Sequence, residues 1–152
     1  MPTLIPRDKI RQFIGFETEP TAWLNIEQDR IDVFAECTLD RQFIHVDPDA
    51  ARRTPFGSTI AHGFLTLSLL SYFAEQLQLG IEGVQMGVNY GLDRVRFINP
   101  VKVGSKVRVR AKILDIREKN LGQYQLKLEV TMEIEGELKP ALIAEWLFMQ
   151  FV

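Results

Sequence analysis

Apolar and polar residues alternate through the second half of the chain. Val84, Met86, Val88 and Tyr90 are separated by Gln85, Gly87 and Asn89, and Arg94-Val95-Arg96-Phe97 continues the period as far as Asn99-Pro100. Val107, Val109, Ala111 and Ile113 alternate with Lys106, Arg108, Arg110 and Lys112; Tyr124, Leu126, Leu128, Val130, Met132 and Ile134 alternate with polar neighbours. A period of two sends successive side chains to opposite faces, so these stretches predict antiparallel strands with one face on a core and one in water. Asn120-Leu121-Gly122 and Glu135-Gly136-Glu137 are turn sequences between them. Residues 141–152 are apolar on both faces, as expected of a strand covered on both sides.

The first half follows a helical period. Ile10, Phe13 and Ile14 share one face, and Gly15 offers a stop. Residues 21–26 read as a short strand. Ile31, Phe34, Ala35 and Thr38 recur at i, i+3, i+4 and i+7, a second helix ending before Asp40. Asp47-Pro48 starts a third, with Asp as N-cap and Pro at the first helical position, ending near Arg52-Arg53. Pro55 and Gly57 make residues 54–59 a loop. The main helix is predicted over residues 61–78, where Phe64, Leu65, Leu67, Leu69, Leu70, Phe73, Ala74 and Leu77 cover most of the circumference. A helix apolar nearly all round must be enclosed. Helices followed by long antiparallel strands give an α+β class. One buried helix wrapped by a curved sheet is the hot-dog arrangement, expected here as a single domain over residues 1–152.

Composition narrows the function. At 152 residues and 46% hydrophobic the chain can bury a sizeable core. A formal net charge of -2 gives no electrostatic reason to expect nucleic acid or an anionic membrane as partner. Cys37 is the single cysteine, which excludes an intrachain disulfide and a cysteine-based zinc cluster and suits a reducing cytoplasm. Its place in an amphipathic pattern predicts a small core or near-core residue. Met1-Pro2-Thr3-Leu4-Ile5-Pro6 lacks the basic-then-apolar order of a signal peptide, and the longest apolar stretch is too short to span a bilayer. With two histidines, no zinc site is expected, and no cofactor is called for.

The candidate chemistry lies between the helices. Asp40-Arg-Gln42-Phe-Ile-His45 is followed by Ala61-His62-Gly63 at the start of the main helix. A carboxylate and an imidazole can activate water between them, and a Gly at a helix start offers a bare N–H to a developing oxyanion. Those parts suffice to add water to, or remove it from, a double bond conjugated to a thioester. Taken singly, Asp40 is also a turn or cap residue and His45, beside Phe43, Ile44 and Val46, a core histidine. Gln42, His62 and Ser71 are secondary candidates: an amide beside the turn, a ring at the helix start, and a hydroxyl two turns beyond Gly63 that can equally bond back to its own helix. Asn89 and Arg94 read as strand-surface residues, and Arg52 and Arg53 as a solvated loop that could meet phosphate.

The segment 40–70 resembles the hydratase motif of the MaoC-like family, the (R)-specific enoyl-CoA hydratases, and within it the nodulation-protein-N-like branch. The family pattern runs Asp, any residue, Asn, two residues, His, then a downstream His-Gly opening the hot-dog helix; Asp40, His45 and His62-Gly63 stand at those places. Asn89-Tyr90-Gly91-Leu92-Asp93-Arg94-Val95-Arg96-Phe97 with Pro100-Val101 also resembles that branch. Gln42 replaces the usual Asn and keeps the amide; Phe43 stands where many members have Pro. The resemblance implies that Asp40 and His45 hold a water, deliver it to C3 of a trans-2-enoyl thioester and return a proton to C2, while Gly63 N–H binds the thioester carbonyl. It further implies an acyl-CoA or acyl-carrier-protein substrate, an (R)-3-hydroxyacyl product and a homodimer. A hot-dog thioesterase and a noncatalytic acyl-thioester binder are the alternatives.

Overall fold

A computed structural model describes residues 3–152, leaving Met1-Pro2 of the N-terminal run outside the described residues. The alternating stretches become β4 (Met86–Phe97), β5 (Lys106–Asn120), β6 (Gln123–Ile134) and β7 (Leu142–Phe151). With the short β2 (Leu24–Asn25) they form one antiparallel sheet in the order β2-β5-β6-β7-β4. Its inner face is the predicted one: Val107, Val109, Ala111 and Ile113 of β5, and the alternating apolar residues of β6 from Tyr124 to Ile134, are buried. The β5–β6 register shifts between Ile113 and Asp115, and that bulge returns Ile116 to the inner face although it stands three positions after Ile113. Gly122 and Gly136, at φ 74° and 80°, make the turns at the two ends of β6.

The central helix lies against this face in two segments, α4 (Gly63–Ser68) and α5 (Leu70–Leu77), after α1 (Gln28–Thr38), α2 (Phe43–Val46) and α3 (Pro48–Arg52). Leu65, Leu69, Leu70 and Phe73 join the strand residues in one core. The predicted continuous helix is interrupted at Leu69 for a local reason. Thr66 Oγ1 donates to Gly63 O and Ser68 Oγ to Phe64 O, each at 2.7 Å, and such back-bonding hydroxyls bend a helix. Asp47 caps α3 as expected, Oδ1 accepting from Asp49 N–H at 3.1 Å and Ala50 N–H at 3.0 Å, with Pro48 first in the helix.

Other expectations need correction. Residues 7–13 form a 3-10 helix rather than an α-helix, and Ile14 lies beyond it, half exposed, before Gly15 turns the chain at φ 90°. Of residues 21–26 only Leu24–Asn25 pair as a strand; Thr21 instead bonds to Val109, its N–H to the carbonyl and its Oγ1 from the N–H. Cys37 is exposed, because the buried side of α1 is Ile31 and Ala35 and Cys37 points away from it. The strand β4 gives little to the core: Val95 packs against it, while Met86, Val88, Tyr90 and Leu92 are all exposed on the sheet's edge. Within one chain the central helix is not enclosed either, since Phe64 is 68% exposed and Tyr72 47%. A small parallel pair, β1 (Thr3–Ile5) with β3 (Leu79–Ile81), went unpredicted because three-residue strands carry no readable period. Gln150 of β7 ties it down, its Oε1 accepting from Ile81 N–H at 2.8 Å and its Nε2 donating to Leu79 O at 3.2 Å.

Candidate active site

The chain leaves α1 through Leu39, a non-glycine residue at φ 65°, and Asp40 follows at the surface. The left-handed conformation costs a leucine roughly 1–2 kcal/mol, and it turns the backbone sharply enough to bring Asp40 beside α2. Gln42 then opens α2, its carbonyl accepting from His45 N–H at 2.9 Å while its own N–H points at Asp40 Oδ1 at 3.4 Å. It therefore holds the turn with its backbone. His45 lies buried in α2, and its Nδ1 meets Ile60 O at 2.7 Å. A carbonyl can only accept, so Nδ1 carries the proton and the Nε2 lone pair is left free.

The segment holding that carbonyl is itself pinned. Ile60 N–H donates to Ile44 O at 3.0 Å, Ala61 N–H to Val101 O at 2.7 Å and Val103 N–H to Thr59 O at 3.0 Å. Gln28, from the first turn of α1, joins both sides: its Oε1 accepts from Thr59 Oγ1 at 2.5 Å, and its Nε2 donates to His45 O at 2.7 Å and to Asp32 Oδ1 at 2.8 Å. Sequence reading missed Gln28 and Thr59. They act over long separations through a backbone carbonyl, which no local pattern reports.

His62 completes the cluster. Its Nε2 donates to Asp40 O at 2.9 Å, and its ring stacks on His45 with centroids 3.8 Å apart and planes 22° apart. A carboxylate oxygen of Asp40 and one ring nitrogen from each histidine lie within 4.8 Å of one another. A metal needs lone pairs converging at about 2.0–2.2 Å. In stacked rings the in-plane lone pairs run side by side, and one nitrogen of each ring is already committed to a carbonyl. The donor set fits proton transfer better than metal binding. Burial pushes the His45 imidazole below its ordinary value of 6.5; the Ile60 bond works against that, the neighbouring His62 adds to it, and Asp40 opposes it.

Beside His45 opens a cavity of about 290 Å³ lined also by Gly63, Thr66, Phe56, Phe97 and Val101. Gly63 is the first residue of α4, so its N–H has no intrahelical partner. A Cβ at Gly63 would stand 3.1 Å from the Phe97 ring, so the glycine admits that ring as well as keeping the backbone open. The structure thus brings Asp40, His45, His62 and Gly63 together. Ser71 is elsewhere: it accepts from Asn89 Nδ2 at 3.1 Å and borders a second cavity of about 560 Å³ between α5 and the strands β4 and β7. Asn89, exposed on β4 as a strand-surface residue, also accepts from Trp146 Nε1 at 3.0 Å. Arg52 pairs with Asp49 at 3.5 Å, both well exposed.

Comparison with known proteins gives this geometry a setting. The chain is 50% identical over 135 residues to nodulation protein N of Rhizobium leguminosarum bv. viciae, covering 88% of this chain and 84% of that protein. It is 45% identical over 131 residues to 3-hydroxyacyl-thioester dehydratase Z of Mycobacterium tuberculosis, covering 86% of each. Among solved structures, a monoamine oxidase regulatory protein from Archaeoglobus superposes with a TM-score of 0.79 at 21% identity, over 99% of this chain and 96% of that one. The unliganded R-hydratase of Pseudomonas aeruginosa superposes with a TM-score of 0.72 at 24% identity, over 97% and 86%. These likenesses establish the hot-dog fold. The family model of the MaoC-like domain matches residues 9–135, and the chain belongs to that family.

Proposed function

We propose that this protein is an (R)-specific enoyl-thioester hydratase, a hydro-lyase that reversibly adds water to a trans-2-enoyl thioester. One observation carries the reading: Ile60 fixes His45 as the Nδ1–H form with a free Nε2, and a ring nitrogen of His45 lies within 4.8 Å of a carboxylate oxygen of Asp40. A water with hydrogen bonds of about 2.8 Å to each group fits between them. The 45% identical relative named a 3-hydroxyacyl-thioester dehydratase supports the same reaction class.

In the hydration direction the thioester carbonyl accepts from Gly63 N–H, which draws electrons from the double bond and makes C3 electrophilic. Water oxygen attacks C3 as its proton passes to the Asp40–His45 pair, and the enolate collapses as C2 takes a proton back. Bond changes balance: one C–O and one C–H bond form, and one O–H and one C=C π bond break. Dehydration is the reverse, and concentrations decide the direction. The acyl group is carried by CoA or an acyl-carrier protein, and the enzyme works in the cytoplasm as a homodimer. Among the described residues no helix is long and apolar enough to cross a membrane.

The test is a direct assay. Purified protein with crotonyl-CoA and longer trans-2-enoyl-CoAs should lose enoyl-thioester absorbance without releasing free CoA. Release of the thiol would point to a thioesterase, and tight acyl-CoA binding without turnover to a binder. Asp40→Asn and His45→Gln should each slow hydration by about two orders of magnitude or more. Folded variants with normal rates would refute the assignment.

A further inference from the structure

His62 is 3% exposed, and its Nδ1 is buried without a hydrogen-bond partner among the described residues. An unpartnered buried acceptor is unfavourable, and a phenylalanine would fill the same slot between Phe34 and His45 without one. The Phe34 ring packs on the other side at 4.9 Å, tilted by 56°. What the imidazole adds is the Nε2–H, and its acceptor is the backbone carbonyl of Asp40. Asp40 sits exposed on a chain that has just passed through the left-handed Leu39, so a bond anchored in the core limits how far its carboxylate can wander.

The stack does a second job. The Nδ1–H bond to Ile60 O holds one edge of the His45 ring, and a neighbouring ring face 3.8 Å away limits its rotation about that edge. With both constraints the free Nε2 lone pair has one direction. We propose that His62 is the positioning residue of the catalytic pair: its Nε2–H holds the Asp40 backbone and its ring face holds the His45 imidazole, so one side chain sets the geometry of both. This rests on the hydratase reading of Asp40 and His45. The titratable groups that act on His45 are His62 and Asp40.

The chain has only two histidines, so long-range proton–nitrogen NMR resolves each imidazole. In the wild type one ring should be the Nδ1–H form and the other the Nε2–H form; His62→Gln should remove only the second. His62→Phe keeps a ring without the donor, and His62→Gln keeps a donor at the Nε2 place without the ring. His62→Phe should lower kcat on crotonyl-CoA on the order of a hundredfold, the scale of a small misplacement of reacting groups, with KM nearly unchanged. His62→Gln should recover about a tenfold share of that loss, and in both variants the single His45 tautomer should give way to a mixture. The inference is overturned by a wild-type His62 in the Nδ1–H form. It is equally overturned by a folded His62→Phe with wild-type kcat, or by equal losses in both variants that track a lowered Tm with His45 unchanged. Should wild-type protein hydrate no enoyl thioester, the hydratase reading fails, while the two tautomers still decide the position of His62.

Discussion

Burying an imidazole penalises its charged form, and for His45 that effect leads over the attraction of Asp40. The consequence has a definite sign. His45 accepts a proton only when neutral, and a lowered pKa keeps it neutral to a lower pH. The acid limb of kcat/KM should therefore lie below pH 6.5, the ordinary imidazole value. A limb at or above that value would mean that the carboxylate, not burial, governs the ring. The same shift links to folding. Between the depressed folded value and the ordinary unfolded one, the unfolded chain holds the extra proton, so stability is fully present above pH 6.5 and is lost as pH falls through the folded value. At this scale residue types were readable: Asp40, His45 and the His-Gly step stood out as a conjunction, and the resemblance to the hydratase motif implied their roles. Their orientation was not, since the tautomer of His45 depends on Ile60 O and that of His62 on Asp40 O.

Elements were legible in proportion to their length. The twelve residues of β6 alternate without a fault and are buried as the alternation says, whereas β1 and β3, at three residues each, offered no pattern to read. The bend at Leu69 follows from hydroxyls whose bonding choice the sequence leaves open. What holds the elements to one another was the least visible level, and Gln28 shows why: its side chain links α1, α2 and the segment at Thr59, three places joined only after folding. Gln28→Leu should leave Thr59 Oγ1, 1% exposed as a residue, and the His45 carbonyl without their partner. Stripping buried groups in this way costs about 1–3 kcal/mol, to be measured by urea unfolding. Because the linkage carries Ile60 O as well, hydration should slow on the order of tenfold or more even where the variant is fully folded. An unaltered rate at reduced stability would make Gln28 a brace for the fold alone.

The molecule as a whole leaves one face unfinished. The edge strand β4 runs twelve residues with Met86, Val88, Tyr90, Leu92 and Phe97 exposed, and Phe64 of α4 packs edge-on to Phe97 at 6.0 Å. A long apolar edge is a template for another strand, and soluble monomers seldom leave one bare. The alternation in β4 was read as one core face and one wet face; Val95 packs on the core, but most of its apolar residues stay exposed, which a partner chain would explain. The same holds for a central helix that is apolar nearly all round yet exposes Phe64 and Tyr72. A second copy set against this face would cover both, and the proposed homodimer would use β4 and the exposed flank of α4 and α5. The double substitution Met86→Lys with Tyr90→Lys places two charges at residues now 53% and 63% exposed. Each lost anchor is worth roughly 1–2 kcal/mol or more at an interface, so the dimer dissociation constant should rise about a hundredfold or more. Sedimentation velocity over a dilution series reads the change directly, and circular dichroism checks that the monomer keeps its strands. A variant that remains dimeric at the wild-type concentration would move the interface off β4.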